Sequence, residues 1–320
     1  MRQATEKLFL TFLFISALGF AWLQWPQRTE DSAFQELPII ETDPLWTLST
    51  VYEAESRFVT SPFLVELVSQ APILFWIEAP SAGLSPVLKR AVLTEEGLSY
   101  EPVTVLTPDA LSKMTGRKTL NLQSLVSWTQ GDQLFMAVSS STIADASRVD
   151  LLVSDDEGLS FEHLSTLRTN PVLNLGARAQ GAPISQNSGS EFMISHDQIG
   201  YLALRAEVNT QGEIIRVSRL SMGAAPSTLT GNALQVAQDV WLTTQVDQTQ
   251  EIMRLMLNSE PQALEGRTVR ALDVSQLPVS PPHMSLSADG VIHLIWIEGG
   301  NRVQWLRTSL AELLNGEVGE

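Results

Sequence analysis

From Trp46 onward the apolar residues come in runs of four to eight, broken by turn residues, and this spacing restricts the fold more than any other feature. The runs include FLVELV (63–68), ILFWIE (73–78), QLFMAVSS (133–140), VDLLVS (149–154), EFMIS (191–195), YLALRAEV (201–208), DVWLTT (239–244) and VIHLIWIE (291–298). Runs this short, rich in branched and aromatic residues, are strand patterns. None keeps the i, i+3, i+4, i+7 spacing of a helix for long. The clearest helical piece is the terminal SLAELLNG (309–316).

The runs also repeat. SDDEGLSFEHLSTL (154–167) aligns with LTEEGLSYEPVTVL (93–106), each with an acidic pair, Gly-Leu-Ser and an aromatic, and Gly97 and Gly158 lie 61 residues apart. Weaker relatives are NTQGEI (209–214) and SADGVI (287–292). Such periodicity is the mark of a repeat architecture. Grouped accordingly, the strands form blades near 62–106, 121–168, 178–222, 227–273 and 283–308, with WTLSTVYE (46–53) completing the last blade and closing the ring. The fold expected is an all-β propeller over residues 46–315, each blade a four-stranded sheet around a channel.

Ahead of it, Leu8 to Trp25 form an uncharged apolar run of 18 residues. As a helix this spans about 27 Å, enough for a hydrocarbon core. Arg2 and Lys7 precede it, Glu30 and Asp31 follow, and Trp22 and Trp25 stand where an interfacial belt would. These flanks place residues 1–7 in the cytoplasm and the propeller outside it, periplasmic or extracellular. An N-terminal transmembrane helix or signal anchor and a cleaved signal peptide both give this topology, and the length of the run favours the anchor. Residues 26–45, acidic and aperiodic, read as a linker.

Net charge is −16, and Arg2, Lys7 and Glu6 together contribute only +1 within residues 1–25. A field of that sign repels phosphate backbones, which excludes nucleic acid as a partner. There is no cysteine, so thiolate and disulfide chemistry are absent. The four histidines (His163, His196, His283, His293) lack metal-ligand spacing. With no P-loop, dinucleotide fingerprint or G-x-S-x-G, no cofactor or metal is expected.

Ser154, Asp156, Gly158 and Phe161 match the Asp-box pattern S-x-D-x-G-x-x-[FW]. In such a turn the Ser and Asp side chains bond amides the ladder leaves free, Gly takes φ > 0, and the aromatic packs into the blade. With this box and its second copy, residues 57–308 resemble the sialidase superfamily, in particular its bacterial BNR-repeat branch, whose propellers have six blades. RKTLN (117–121) resembles that branch's basic segment opening the second blade, NPVLNL (170–175) with GAPIS (181–185) its link into the third, and FMISHD (192–197) a strand ending in a histidine and an acid. The resemblance implies a glycosidase with an arginine clamp for a carboxylate, an Asp acid/base and a Tyr nucleophile polarised by a Glu.

The chain departs from that set. Arg57-Phe58-Val59-Thr60 is a poor match to the first-blade arginine motif, and Leu202 and Ala203 stand before Arg205 where a Glu is expected. The tyrosines are Tyr52, Tyr100 and Tyr201, none in the last hundred residues, where the final blade offers Trp296. The candidate site is therefore a polar cluster: His196 and Asp197 as acid/base groups, with Arg117, Lys118 and Arg205 as ligand contacts. Trp76, Trp128, Trp241 and Trp296 suit either sugar stacking or the blade core. The expected function is a noncatalytic, membrane-tethered propeller that binds a glycan or an envelope protein. The alternative is a divergent exo-acting glycoside hydrolase working through carboxylates such as Asp145 or Asp197.

Overall fold

The computed structural model describes residues 46–315, apart from 56–57, 68–70, 80–83, 144–145, 168–176, 187–188, 197–201, 210, 212, 223–227, 248–250, 260–265, 275, 277, 279 and 288. The expected membrane segment at 8–25 and the linker lie outside these residues. Among the described residues, no helix is long and apolar enough to cross a membrane.

The chain opens with β1 (Trp46–Glu53) and continues into β2 (Val59–Val65), β3 (Ile73–Glu78), β4 (Val87–Thr94), β5 (Gly97–Leu98) and β6 (Val103–Leu106). A short helix α1 (Pro108–Thr115) precedes β7 (Asn121–Gln130), β8 (Gln133–Ile143), β9 (Ala146–Ser154) and β10 (Glu162–Thr166). Next come β11 (Ala177–Gln186), β12 (Gly189–His196), β13 (Leu202–Asn209) and β14 (Ile214–Met222), then β15 (Thr228–Ala237), β16 (Val240–Asp247), β17 (Ile252–Asn258) and β18 (Arg267–Asp273). The last elements are β19 (His283–Leu286), β20 (Val291–Glu298), β21 (Arg302–Ser309) and helix α2 (Leu310–Asn315).

These strands form five antiparallel sheets. Three are local meanders, β7 to β10, β11 to β14 and β15 to β18; in a fourth, β2, β3 and β4 carry both β5 and β6. The fifth is β19-β20-β21 with β1 added from the other end of the chain, Trp46 opposite Thr308 and Glu53 opposite Arg302. The inner strands touch in cyclic order, β2, β7, β11, β15, β19 and back to β2, so the sheets are blades of a closed propeller. The described strands are all used up in five sheets, which corrects the six blades implied by the sialidase resemblance. β1 supplies the fourth strand of the last blade, so among the described residues no spare hairpin is left to found a sixth.

Each sheet stands between two others, so both faces of its middle strands are buried and the usual alternation of apolar and polar residues disappears. All six residues of β3 are buried for this reason. Ile73, Phe75 and Ile77 pack with Leu122, Trp128, Leu134 and Phe135 of the second blade. Leu74 and Trp76 on the other face pack with Ile295, Ile297 and Trp305 of the last. At roughly 25 cal/mol per Å², a buried side chain of this size contributes about 1.5–3 kcal/mol.

The Ser154–Phe161 turn joins β9 to β10. Ser154 Oγ accepts from Gly158 N (2.8 Å) and Asp156 N (3.3 Å), and Asp156 Oδ1 accepts from Ser160 N (2.8 Å). Gly158 has φ +81°, and Phe161 packs edge-on to Phe75 of the first blade. The aligned segment at 93–106 folds differently, as a tight hairpin with Thr94 opposite Gly97. One buried side chain nevertheless connects the two copies. The Arg90 guanidinium donates to the Tyr100 hydroxyl and to the Glu157 carbonyl (2.9 Å) and pairs with the Glu157 carboxylate (3.5 Å).

Helix α1 was not anticipated from the apolar pattern, because eight residues are too few to show a period. Its ends were legible. Thr107 Oγ1 accepts from Ala110 N (3.1 Å), Pro108 opens the first turn, and Gly116 follows the last. This is the N-cap, N1 and C′ signature.

Candidate functional site

Inner strands begin, and second strands end, at one face of the ring, called upper here. At this face three of the second strands end in an acid. β3, β16 and β20 end in Glu78, Asp247 and Glu298, while Asp145 follows β8 and Asp197 follows β12, both outside the described residues. The signal in sequence is the repeated Trp-Ile-Glu of 76–78 and 296–298, which places Glu78 and Glu298 at equivalent positions of the first and last blades.

The described acids are bound to their own surroundings. The buried Glu78 carboxylate accepts from Trp76 Nε1 (2.9 Å) and from the Tyr52 hydroxyl (3.1 and 3.3 Å). Burial, with the adjacent Glu78 charge, raises the Tyr52 phenol well above its ordinary range. Tyr52 is thus held protonated, as a donor, on β1 at the rim of the ring and not over its channel. Glu298 accepts from Gln304 Nε2 (2.9 Å) and faces Arg302 (3.7 Å), and Asp247 accepts from Arg254 Nη1 (3.2 Å). These carboxylates pin strands to strands.

Arg117 and Lys118 lie on the upper face between α1 and β7, and both are exposed. The flanking threonines are anchored from below, where Arg148 Nη2 donates to Thr119 Oγ1 (2.9 Å) and Thr115 Oγ1 (3.2 Å). Arg148 Nε in turn meets the fully buried Asp150 (2.6 Å), which also accepts from Thr166 (2.6 Å). His196 ends β12 at the upper face, opposite Ala177 and Leu202, and Arg205 sits in β13 opposite Met193 and Ser218. Asp197 lies outside the described residues, as do the side chains of His196 and Arg205. Trp76, Trp128 and Trp296 are buried in the blades at 0, 4 and 3% exposure, which takes them out of the sugar-stacking set.

The apolar residues left open on the upper face did not stand out in the sequence. Phe58 just before β2 is 48% exposed, Leu84 between β3 and β4 58%, and Leu120 just before β7 37%. Because β2 and β7 are adjacent inner strands, Phe58 and Leu120 precede neighbouring strands at the upper face, with Arg117 and Lys118 just ahead of Leu120 in the chain. Among the described residues, no group of His, Asp and Glu could hold a metal ion.

No family model matches the sequence, and no characterised protein matches it by sequence. Solved structures do match in fold. The GH43_1 enzyme from Xanthomonas citri complexed with xylotriose is 10% identical over 81% of this chain and 87% of that one, with a TM-score of 0.56. An endo-arabinase from Bacteroides thetaiotaomicron is 11% identical over 82 and 96%, with a TM-score of 0.50. A Trypanosoma rangeli sialidase is 12% identical over 80 and 46%, with a TM-score of 0.47. The chain has the β-propeller fold shared by glycoside hydrolases.

Proposed function

We propose that this protein is a noncatalytic propeller that binds a glycan at its upper face, tethered outside the cytoplasm by its N-terminal apolar segment. The exposed Phe58 at the upper face carries the reading. An aromatic left open on the same face as the exposed Leu120, Arg117 and Lys118 offers a stacking surface for a sugar ring, with cations on that face as donors. The Tyr52–Glu78 pair supports the absence of sialidase chemistry through its place alone, since Tyr52 stands on β1, the outermost strand of the last blade.

The test is glycan-array binding by the full-length chain, compared with Phe58→Ala. Binding that falls at least about tenfold in the variant, with no release of product, supports the reading. Turnover of fluorogenic sialosides, xylosides or arabinosides, lost in Asp197→Asn or His196→Ala, would replace it with the divergent hydrolase. That second reading draws on the fold shared with glycoside hydrolases and on the acids that follow β8 and β12.

A further inference from the structure

We propose that the seam where the last blade meets the first is an acid-sensitive latch, opening in mild acid while the remaining blades stay closed. Two buried histidines occupy this seam, one on β19 and one on β20. His283 begins β19; its Nδ1 accepts from Leu64 N (3.2 Å) on β2 and its ring lies 3.7 Å from that of Phe63. His293 on β20 accepts from Trp305 Nε1 (3.2 Å), stacks on that indole, and turns Nε2 toward the Glu66 carboxylate just beyond β2 (3.8 Å). Ser285 Oγ on β19 donates to the same carboxylate (2.7 Å). The seam therefore closes through neutral imidazoles, each in contact with the opposite blade.

The charges around each ring set the sign. No charged side chain among the described residues bears on His283, and burial pushes it down to about 3. Burial is also the main cause at His293, followed by Arg307 opposite it on β21; Asp289 in the β19–β20 hairpin offsets part of this, and the result is about 4. Arg307 is itself paired with Glu95 (3.6 Å). Both imidazoles are depressed in the folded chain, so their contribution is complete above about 6.5 and is lost as the pH falls toward these values. Glu66 works in the opposite sense: burial raises it, so acid neutralises a buried charge there. Two imidazoles against one carboxylate leave acid opening the seam. At pH 5 each histidine shifts the opening equilibrium about 30-fold, and the two together about 1000-fold.

Opening would separate β2 and β19 and displace Phe58 at the upper end of β2; this consequence for a glycan rests on the reading above, whereas the latch does not. Hydrogen exchange on the full-length chain, corrected for the intrinsic rate at each pH, tests the latch without any glycan. Between pH 7 and 5, amides of β2 and β19–β21 should lose protection by 100-fold or more while those of β7–β9 hold. The chain has no cysteine, so Ser61→Cys with Ser280→Cys, at positions where Ser61 N meets Ser280 Oγ (3.2 Å), can lock the seam by a disulfide. The oxidised pair should abolish the pH-dependent loss, and reduction should restore it. Unchanged protection of the seam at pH 5, simultaneous loss in every blade, or equal opening of the locked chain would overturn the proposal.

Discussion

Gly158→Ala separates the two reasons for a glycine in the Ser154–Phe161 turn. A Cβ at this position would lie 2.5 Å from Phe75 Cζ and 2.9 Å from Leu134 Cδ2. Phe75 is wholly buried and Leu134 is 1% exposed, so neither can swing away into solvent. The backbone at φ +81° costs alanine about 1–2 kcal/mol. Overpacking two core side chains adds about 1–3 kcal/mol, for a total of about 2–5 kcal/mol. Gly131→Ala is the control, because it shares a positive φ (+60°) but its Cβ would meet nothing within 4 Å. Only the backbone cost applies there. Urea unfolding of both variants by tryptophan fluorescence, with equal m-values, gives the difference directly. A Gly158→Ala chain also carrying Phe75→Leu should recover part of the loss, since the second change removes the clashing ring. The packing account is refuted if the two alanine variants are equally stable, or if Phe75→Leu adds its full independent cost.

Two further predictions follow from buried polar pairs. Asp150→Asn removes the charge opposite Arg148 at a position with 0% exposure, and should cost about 3–5 kcal/mol in the same urea measurement. Tyr52→Phe tests the ring-closing strand under alkali. The folded phenol is raised above its ordinary value of 10, so its contribution is intact below that pH and lost as the pH rises through the folded value. The variant should be less stable at pH 8 and should lack the part of the alkaline loss seen in the parent above pH 10. An identical alkaline slope in both chains would place the titration elsewhere.

Most of the fold was legible in the sequence because a blade is a local object. The ladders joining β7 to β10, or β15 to β18, pair segments a few residues apart, so short apolar runs between turn residues mark them. The same holds for the hydrogen bonds of the 154–161 turn. Even the closing strand at 46–53 was legible, because the last blade lacked a fourth partner. Helix α1 was missed because one face of two turns carries too little pattern. The grouping of strands gave five blades, matching the five sheets, whereas the six came from the family resemblance alone.

The site was less legible. Arg117 and Lys118 were singled out by the resemblance of RKTLN to a basic segment that opens a second blade, whereas Phe58 and Leu120 became distinct only through their exposure. An isolated Phe reads the same in sequence whether it fills a core or faces water. The sequence by itself determined the strands, the turns and the grouping into blades, since each depends on neighbours along the chain. Tertiary structure alone decided that Tyr52 caps Glu78, that Arg90 spans two turns, and that His283 and His293 lie across one seam. These contacts bring together residues 26 to 227 positions apart. They depend on how the blades close into a ring, which no local pattern encodes.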